Sequence, residues 1–220
     1  TIAYFKDLKS KYGKGRERKT EIKAFDTVQA AAVAIANAKL SVNLAEGFAG
    51  IGLKRDEGEF VCECSDIDDI IVFRKDGKMT VSKVQQKAFF GKDIIHIAVW
   101  KKDDKRTIYN LMYKDGKNGP SYMKRFAVTS ITRDKEYDLT KGTANSEVLY
   151  FSANPNGEAE VVTVNLRALE RLKKLKFDVD FSTLAVKGRD TQGNMVTKYP
   201  VKKVELKSAG VSTLGARKIW

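Results

Sequence analysis

The chain has 220 residues, 42% of them hydrophobic, and a formal net charge of +13 from 41 Lys and Arg against 28 Asp and Glu. That is enough to fold one large domain or two small ones around their own core. No run of eighteen apolar residues exists to span a bilayer and the N-terminus lacks the apolar stretch of a signal peptide, so a cytoplasmic setting is expected.

In chain order, Ile2, Phe5, Leu8 and Tyr12 recur at helical spacing and Gly13 is placed to stop the helix, which predicts one over residues 2–12. Its apolar stripe is too narrow for a free domain, so it reads as the end of a longer element. A linker follows over 14–27, rich in glycine and charge with little to bury. The segment from Gln29 to Ala38 is alanine-rich and helix-permissive by propensity. The most strongly patterned stretch is Asp68 to Val84: an apolar run (Ile70 to Phe73), a polar turn ending in Gly77, then alternation through Met79 and Val81, the grammar of a β-hairpin.

That grammar recurs. Thr107 to Val128 turns at Lys114 to Gly116, Glu147 to Leu166 at Asn154 to Gly157, and Ser182 to Val204 at Asp190 to Gly193. The turn glycines 77, 116, 157 and 193 are 36 to 41 residues apart, and a weaker copy is read at Val33 to Val42 with Asn37-Ala38-Lys39 as its turn. A lone hairpin cannot bury its apolar face, so a period near 40 residues predicts a radial β array, with an ordinary β-sandwich as the alternative. Leu166 to Lys176 is read as one or two amphipathic helical turns, and Leu175, Phe177, Val179 and Phe181 as one face of the next strand.

Few residues suggest chemistry. Cys62 and Cys64 lie on one face of a strand-like run, where they rarely form a disulfide, and a metal site would need more ligands than His96 supplies, so both are read as reduced thiols in or near the core. Asp66, Asp68 and Asp69 invite a Mg²⁺ reading, but alternation sends Asp69 to the opposite side, and a solvated strand entry is preferred. His96, in an apolar strand, is read as structural, with no local nucleophile signature beside it.

Tyr12-Gly13 followed by Arg16-Glu17-Arg18-Lys19-Thr20-Glu21-Ile22 resembles the YGD-x-RRTEI exit from the coiled coil of the A subunit of bacterial type IIA topoisomerases, gyrase and topoisomerase IV. The rest of the chain resembles that subunit's C-terminal domain, most closely over 60–84, 121–137, 148–164 and 183–203. The resemblance implies an all-β fold, a β-pinwheel: a propeller-like ring of four-stranded, strand-exchanged blades over residues 28–220, about four to five repeats, preceded by the coiled-coil end over 1–13. Ile219-Trp220 end the chain in mid-pattern, so the ring is expected to be incomplete or open here.

The resemblance also implies binding and bending of double-stranded DNA around a basic rim. The parent would be a nucleoid-associated, homodimeric A subunit working with a B subunit that supplies the ATP and Mg²⁺ sites. Its strand-cleaving tyrosine belongs to an N-terminal domain, and none of the eight tyrosines here sits in that motif. Where gyrases carry the QRRGGKG box, this chain keeps Gly47, Gly50 and Gly52 with Lys54 and Arg55 but lacks the Gln-Arg-Arg head, which favours a topoisomerase IV-like role over gyrase. The charge excess, spread over several repeats, points independently to a polyanion, and nucleic acid precedes membrane because no basic amphipathic helix dominates. The cations expected to face phosphates are Arg74, Lys75, Lys78, Lys83, Lys124, Arg125, Lys198, Lys202, Lys203, Arg217 and Lys218. The alternative is a propeller-like module whose basic surface binds an acidic protein.

Overall fold

The computed structural model describes residues 2–15, 38–169, 172–212 and 214. Helix α1 (Ile2–Tyr12) occupies the span its apolar spacing predicts: Lys11 pairs with Asp7 at 2.8 Å, the Gly13 N–H closes on Lys9 O at 2.9 Å, and none of its residues is buried. It belongs to a unit separate from the strands. The expectations for 16–37, including most of the linker and the Gln29 to Asn37 segment, and for Arg217 and Lys218 lie outside the described residues.

Four sheets follow. Sheet 1 joins β1 (Ala38–Asn43), β2 (Phe48–Gly50), β3 (Glu59–Cys64) and β6 (Ala88–Phe89) in the order β3-β1-β2-β6. Sheet 2 joins β4 (Asp69–Arg74), β5 (Lys78–Lys83), β7 (Ile94–Trp100) and β10 (Glu136–Asp138) in the order β10-β5-β4-β7. Sheet 3 contains β8 (Ile108–Lys114), β9 (Ser121–Phe126), β11 (Glu147–Asn154), β14 (Val186–Lys187) and β15 (Asn194–Thr197), ordered β11-β8-β9-β14 with β15 also on β9. Sheet 4 runs β13-β12-β16 from β12 (Glu158–Leu166), β13 (Lys176–Asp180) and β16 (Val201–Ser212).

The first three sheets share one construction. A hairpin forms the centre, an outer strand pairs with its first strand, and a short strand returns to its second only after the chain has built the next hairpin. Thus β6 follows β4 and β5, β10 follows β8 and β9, and β14 and β15 follow β12 and β13. This is the strand exchange of a β-pinwheel, and the four sheets form a propeller-like ring.

Burial explains the strand sequences. Sheets 1 and 2 enclose a cluster including Leu40, Val42, Ile70 and Val72; sheets 2 and 3 enclose Ile71, Phe73, Leu111 and Tyr113; sheets 3 and 4 enclose Met112, Met123, Val162 and Phe181. Strands β4 and β8 are therefore covered on both faces, so their sequences run apolar without alternation, whereas β5 alternates. At the β4–β5 turn Gly77 has φ +81°, and a Cβ there would come 2.3 Å from Thr140 Cγ2, so the turn needs glycine twice over. Cys64 is buried and Cys62 half-buried, both as free thiols.

Several expectations are corrected. The hairpins at 68–84 and 107–128 pair as read, but β11 and β12, the third copy, belong to different sheets. In the fourth, β14 and β15 do not pair with each other; both lie along the free edge of β9, one parallel and one antiparallel. A turn with the right glycine specifies a reversal of the chain, not which strand its arms will pair with. The weak first copy also shifts: Ala38 and Lys39 open β1, and the turn into β2 falls at 44–47. Between Leu166 and Lys176 the described residues form no helix, and Leu172 N donates to Leu169 O at 2.9 Å.

Candidate nucleic-acid interface

Most cations expected at the repeat turns are already engaged. Arg74 pairs with Asp76 at 2.7 Å and Glu136 at 2.9 Å and donates to Phe90 O at 3.0 Å, so it pins the loop after β6 to sheet 2. Lys78 pairs with Asp138 at 2.8 Å. Glu147 receives Lys75 at 3.2 Å and Lys114 at 3.3 Å; burial pushes its carboxyl up, but the two ammonium groups leave it below the usual range.

Lys124 and Arg125 depart furthest from the outward placement expected for them, at 2% and 3% exposure. Lys124 Nζ donates to Arg189 O and, at 2.9 Å, to Thr191 O, holding the loop between β14 and β15; burial pushes its pKa down to about 8. Arg125 donates to Asn110 Oδ1 at 3.1 Å, Gly157 O at 2.9 Å and Glu158 O at 3.4 Å. Asn110 in turn donates to Glu160, which also accepts from Ser152 at 2.6 Å. This buried network joins sheet 3 to β12. Two adjacent basic residues in a strand read as surface charge in the sequence; they point to opposite faces of β9, and only the tertiary structure covers them, Lys124 with the loop between β14 and β15 and Arg125 with the start of β12.

Other predicted cations remain outside. Lys83, Lys198 and Lys202 are exposed without an ion pair among the described residues, and Lys203 pairs with Glu205 at 2.7 Å. The structure gathers Lys198, Lys202 and Lys203 with residues of the segment expected to form helical turns. Leu166 at the end of β12 is opposite Val201, the Leu166 N–H donates to Leu175 O at 2.8 Å, and the Arg167 N–H donates to Pro200 O at 2.9 Å. Asn165 lies between Lys176 on one side and Lys203 on the other, placing those two backbones about 10 Å apart at the usual strand spacing. The connections 167–175 and 198–200 therefore meet at one end of sheet 4. Arg167, Lys173, Lys174, Lys176, Lys198 and Lys202 are all exposed there, with no ion pair among the described residues. The signal was present as eight basic residues against one acidic in 167–176 and 198–203 taken together, but no spacing rule joins segments so far apart.

The profile described as the topoisomerase C-terminal domain of Bacteroidota matches residues 39–209. The chain belongs to the topoisomerase C-terminal domain family. It is 29% identical over 208 residues to the A subunit of DNA topoisomerase 4 from Borreliella burgdorferi, covering 94% of this chain and 31% of that protein, so the chain spans about a third of the length of this curated relative. A crystal structure of the C-terminal domain of DNA topoisomerase IV superposes with a TM-score of 0.50 at 10% identity, over 78% of this chain and 60% of that one, and shares its fold.

In this topoisomerase C-terminal domain the residues at the gyrase-box position form a clasp. A Cβ on Gly47 would lie 2.0 Å from Gly91 O, and one on Gly50 2.3 Å from Gln86 O. Ile51 N donates to Gln85 O at 3.0 Å and Gly52 N to Gln86 O at 2.7 Å. These glycines let the β5–β7 connection pass close enough for β6 to close sheet 1, while Lys54 and Arg55 stay exposed on the following turn.

The acidic triplet has local structural roles. Asp68 accepts from Ser65 N at 2.8 Å, Asp66 from the Ser65 hydroxyl at 3.1 Å, and Asp69 pairs with Arg133 at 2.9 Å. His96 sits among Phe73, Tyr109 and Phe151, and burial lowers its pKa. Among the described residues no three His, Cys, Asp or Glu side chains come together to hold a metal ion, and no helix is long and apolar enough to cross a membrane.

Proposed function

We propose that this domain binds duplex DNA with little sequence preference and bends it, serving a topoisomerase IV-like A subunit that passes DNA segments in ATP-dependent decatenation and relaxation. The reading rests above all on the cations gathered at one end of sheet 4, of which Arg167, Lys173, Lys174, Lys198 and Lys202 form no ion pair among the described residues. Lys83 and the box-region Lys54 and Arg55 are also exposed, and with Arg217 and Lys218 from the sequence they are further candidates. Duplex DNA carries about one charge per 1.7 Å of axis, so such a cluster gains affinity by releasing counterions whatever the base sequence. The resemblance to type IIA topoisomerases assigns ATP and Mg²⁺ to the B subunit of a homodimeric parent enzyme in the nucleoid.

Fluorescence anisotropy of a labelled duplex across a salt series tests this. If six phosphates are neutralised, log K against log salt should fall with a slope of about −5, and replacing Lys173, Lys174, Lys198 and Lys202 with Glu should cut the slope to about −2 without lowering the melting temperature. No binding at low salt would refute the proposal and favour an acidic protein partner. The degenerate box supports topoisomerase IV over gyrase; negative supercoiling of relaxed circles by the full A and B subunits would overturn that preference.

A further inference from the structure

The cation cluster has an apolar tip. Tyr199, in the three-residue connection between β15 and β16, is 50% exposed between Lys198 and Pro200, and its ring makes no aromatic contact among the described residues. Leu169 and Leu175 on the neighbouring connection are 47% and 40% exposed. A side chain of this size at a protein surface is normally laid against its own core. Here the ring is half exposed and its backbone is fixed: the Tyr199 N–H donates to Thr197 Oγ1 at 3.0 Å, Thr197 is buried opposite Ser121 of β9, and Pro200 O is held by the Arg167 N–H. Proline fixes its own φ and restricts the residue before it, so Tyr199 is presented on a braced turn with little ordering left to do on binding.

From this juxtaposition of a braced, exposed tyrosine with cations on both sides that form no ion pair among the described residues, we infer that Tyr199 is a wedge that enters a base step of bound duplex DNA and kinks it. The inference rests on the nucleic-acid reading of the same cluster. Apolar side chains that enter the minor groove unstack one step and bend the duplex toward the major groove, while flanking Lys and Arg hold the phosphates on either side. Arg167, Lys198 and Lys202 supply those flanking charges. The site would read deformability and not base identity: a TA or CA step, which unstacks easily, is preferred over a stiff A-tract.

The test uses two duplexes of equal length, one with a central TA step containing 2-aminopurine and one A-tract, each carrying a donor and acceptor dye at its ends. The unaltered protein should bind the TA duplex about tenfold more tightly, brighten the 2-aminopurine and shorten the end-to-end distance. Tyr199→Ala should remove the preference, the brightening and the shortening, yet bind the A-tract duplex within about threefold of the unaltered protein, because the cations remain. Tyr199→Phe and Tyr199→Trp should restore all three, which a role for the hydroxyl would not allow. Equal melting temperatures of the variants exclude misfolding as the cause. If Tyr199→Ala keeps the preference and the bend, the wedge is refuted and the basic interface stands. If the unaltered protein binds neither duplex at low salt, the interface itself is refuted and the wedge with it.

Discussion

Replacing Arg125 with leucine should unfold this domain more easily and not simply weaken its hold on DNA. The guanidinium is almost fully buried and donates to one side-chain and two main-chain oxygens, with Glu160 beyond Asn110 balancing its charge. Leucine fills part of the volume but leaves Asn110 Oδ1 and the carbonyls of Gly157 and Glu158 with fewer donors, and Glu160 without its counter-charge. Breaking a buried pair from one side costs about 3–5 kcal/mol, and at roughly 2–4 °C per kcal/mol for a chain of this size the melting temperature should fall by about 6–20 °C. Thermal unfolding followed by circular dichroism measures the loss, and any loss of DNA binding should track it. A variant that melts within about 1 °C of the unaltered protein yet loses DNA affinity would refute the structural role and return Arg125 to the interface.

Lys124 makes stability depend on pH. Its folded pKa, about 8, lies below the ordinary 10.5, so the folded state binds fewer protons than the unfolded chain between those values and this group destabilises the fold least above that window. Urea midpoints should therefore favour the unaltered protein over Lys124→Met progressively from pH 7.5 to 9.5; a constant difference would contradict the burial argument. Gly77→Ala should lower stability by about 1–2 kcal/mol from the left-handed backbone alone, with more from the displaced Thr140, again read by melting. Phe73→Ala, at the centre of the ring cluster with Tyr109 and Phe151, should cost about 3–5 kcal/mol in the same assay.

Local patterns in the sequence were sufficient for α1, for the hairpins β4–β5 and β8–β9, and for the alternation that places Phe177, Val179 and Phe181 against the core, though Leu175, expected on the same face, lies exposed before β13 begins. These follow from periodicity and turn chemistry acting over a few residues. The resemblance of the repeats to topoisomerase C-terminal domains carried the fold class as well. Tertiary structure alone decided the partnering of β11, β12, β14 and β15, because strand exchange joins residues tens of positions apart and leaves no mark on either arm of a turn. It also decided the fate of the charges. Arg74, Lys78, Lys124 and Arg125 look alike in the sequence to Lys198 and Lys202, yet the first four hold sheets and loops together, while the latter two join Arg167 and Lys173 at one open end of sheet 4. Whether such a charge is displayed or engaged depends on which loops, strands and carboxylates the fold brings against it, and that is a property of the assembled ring.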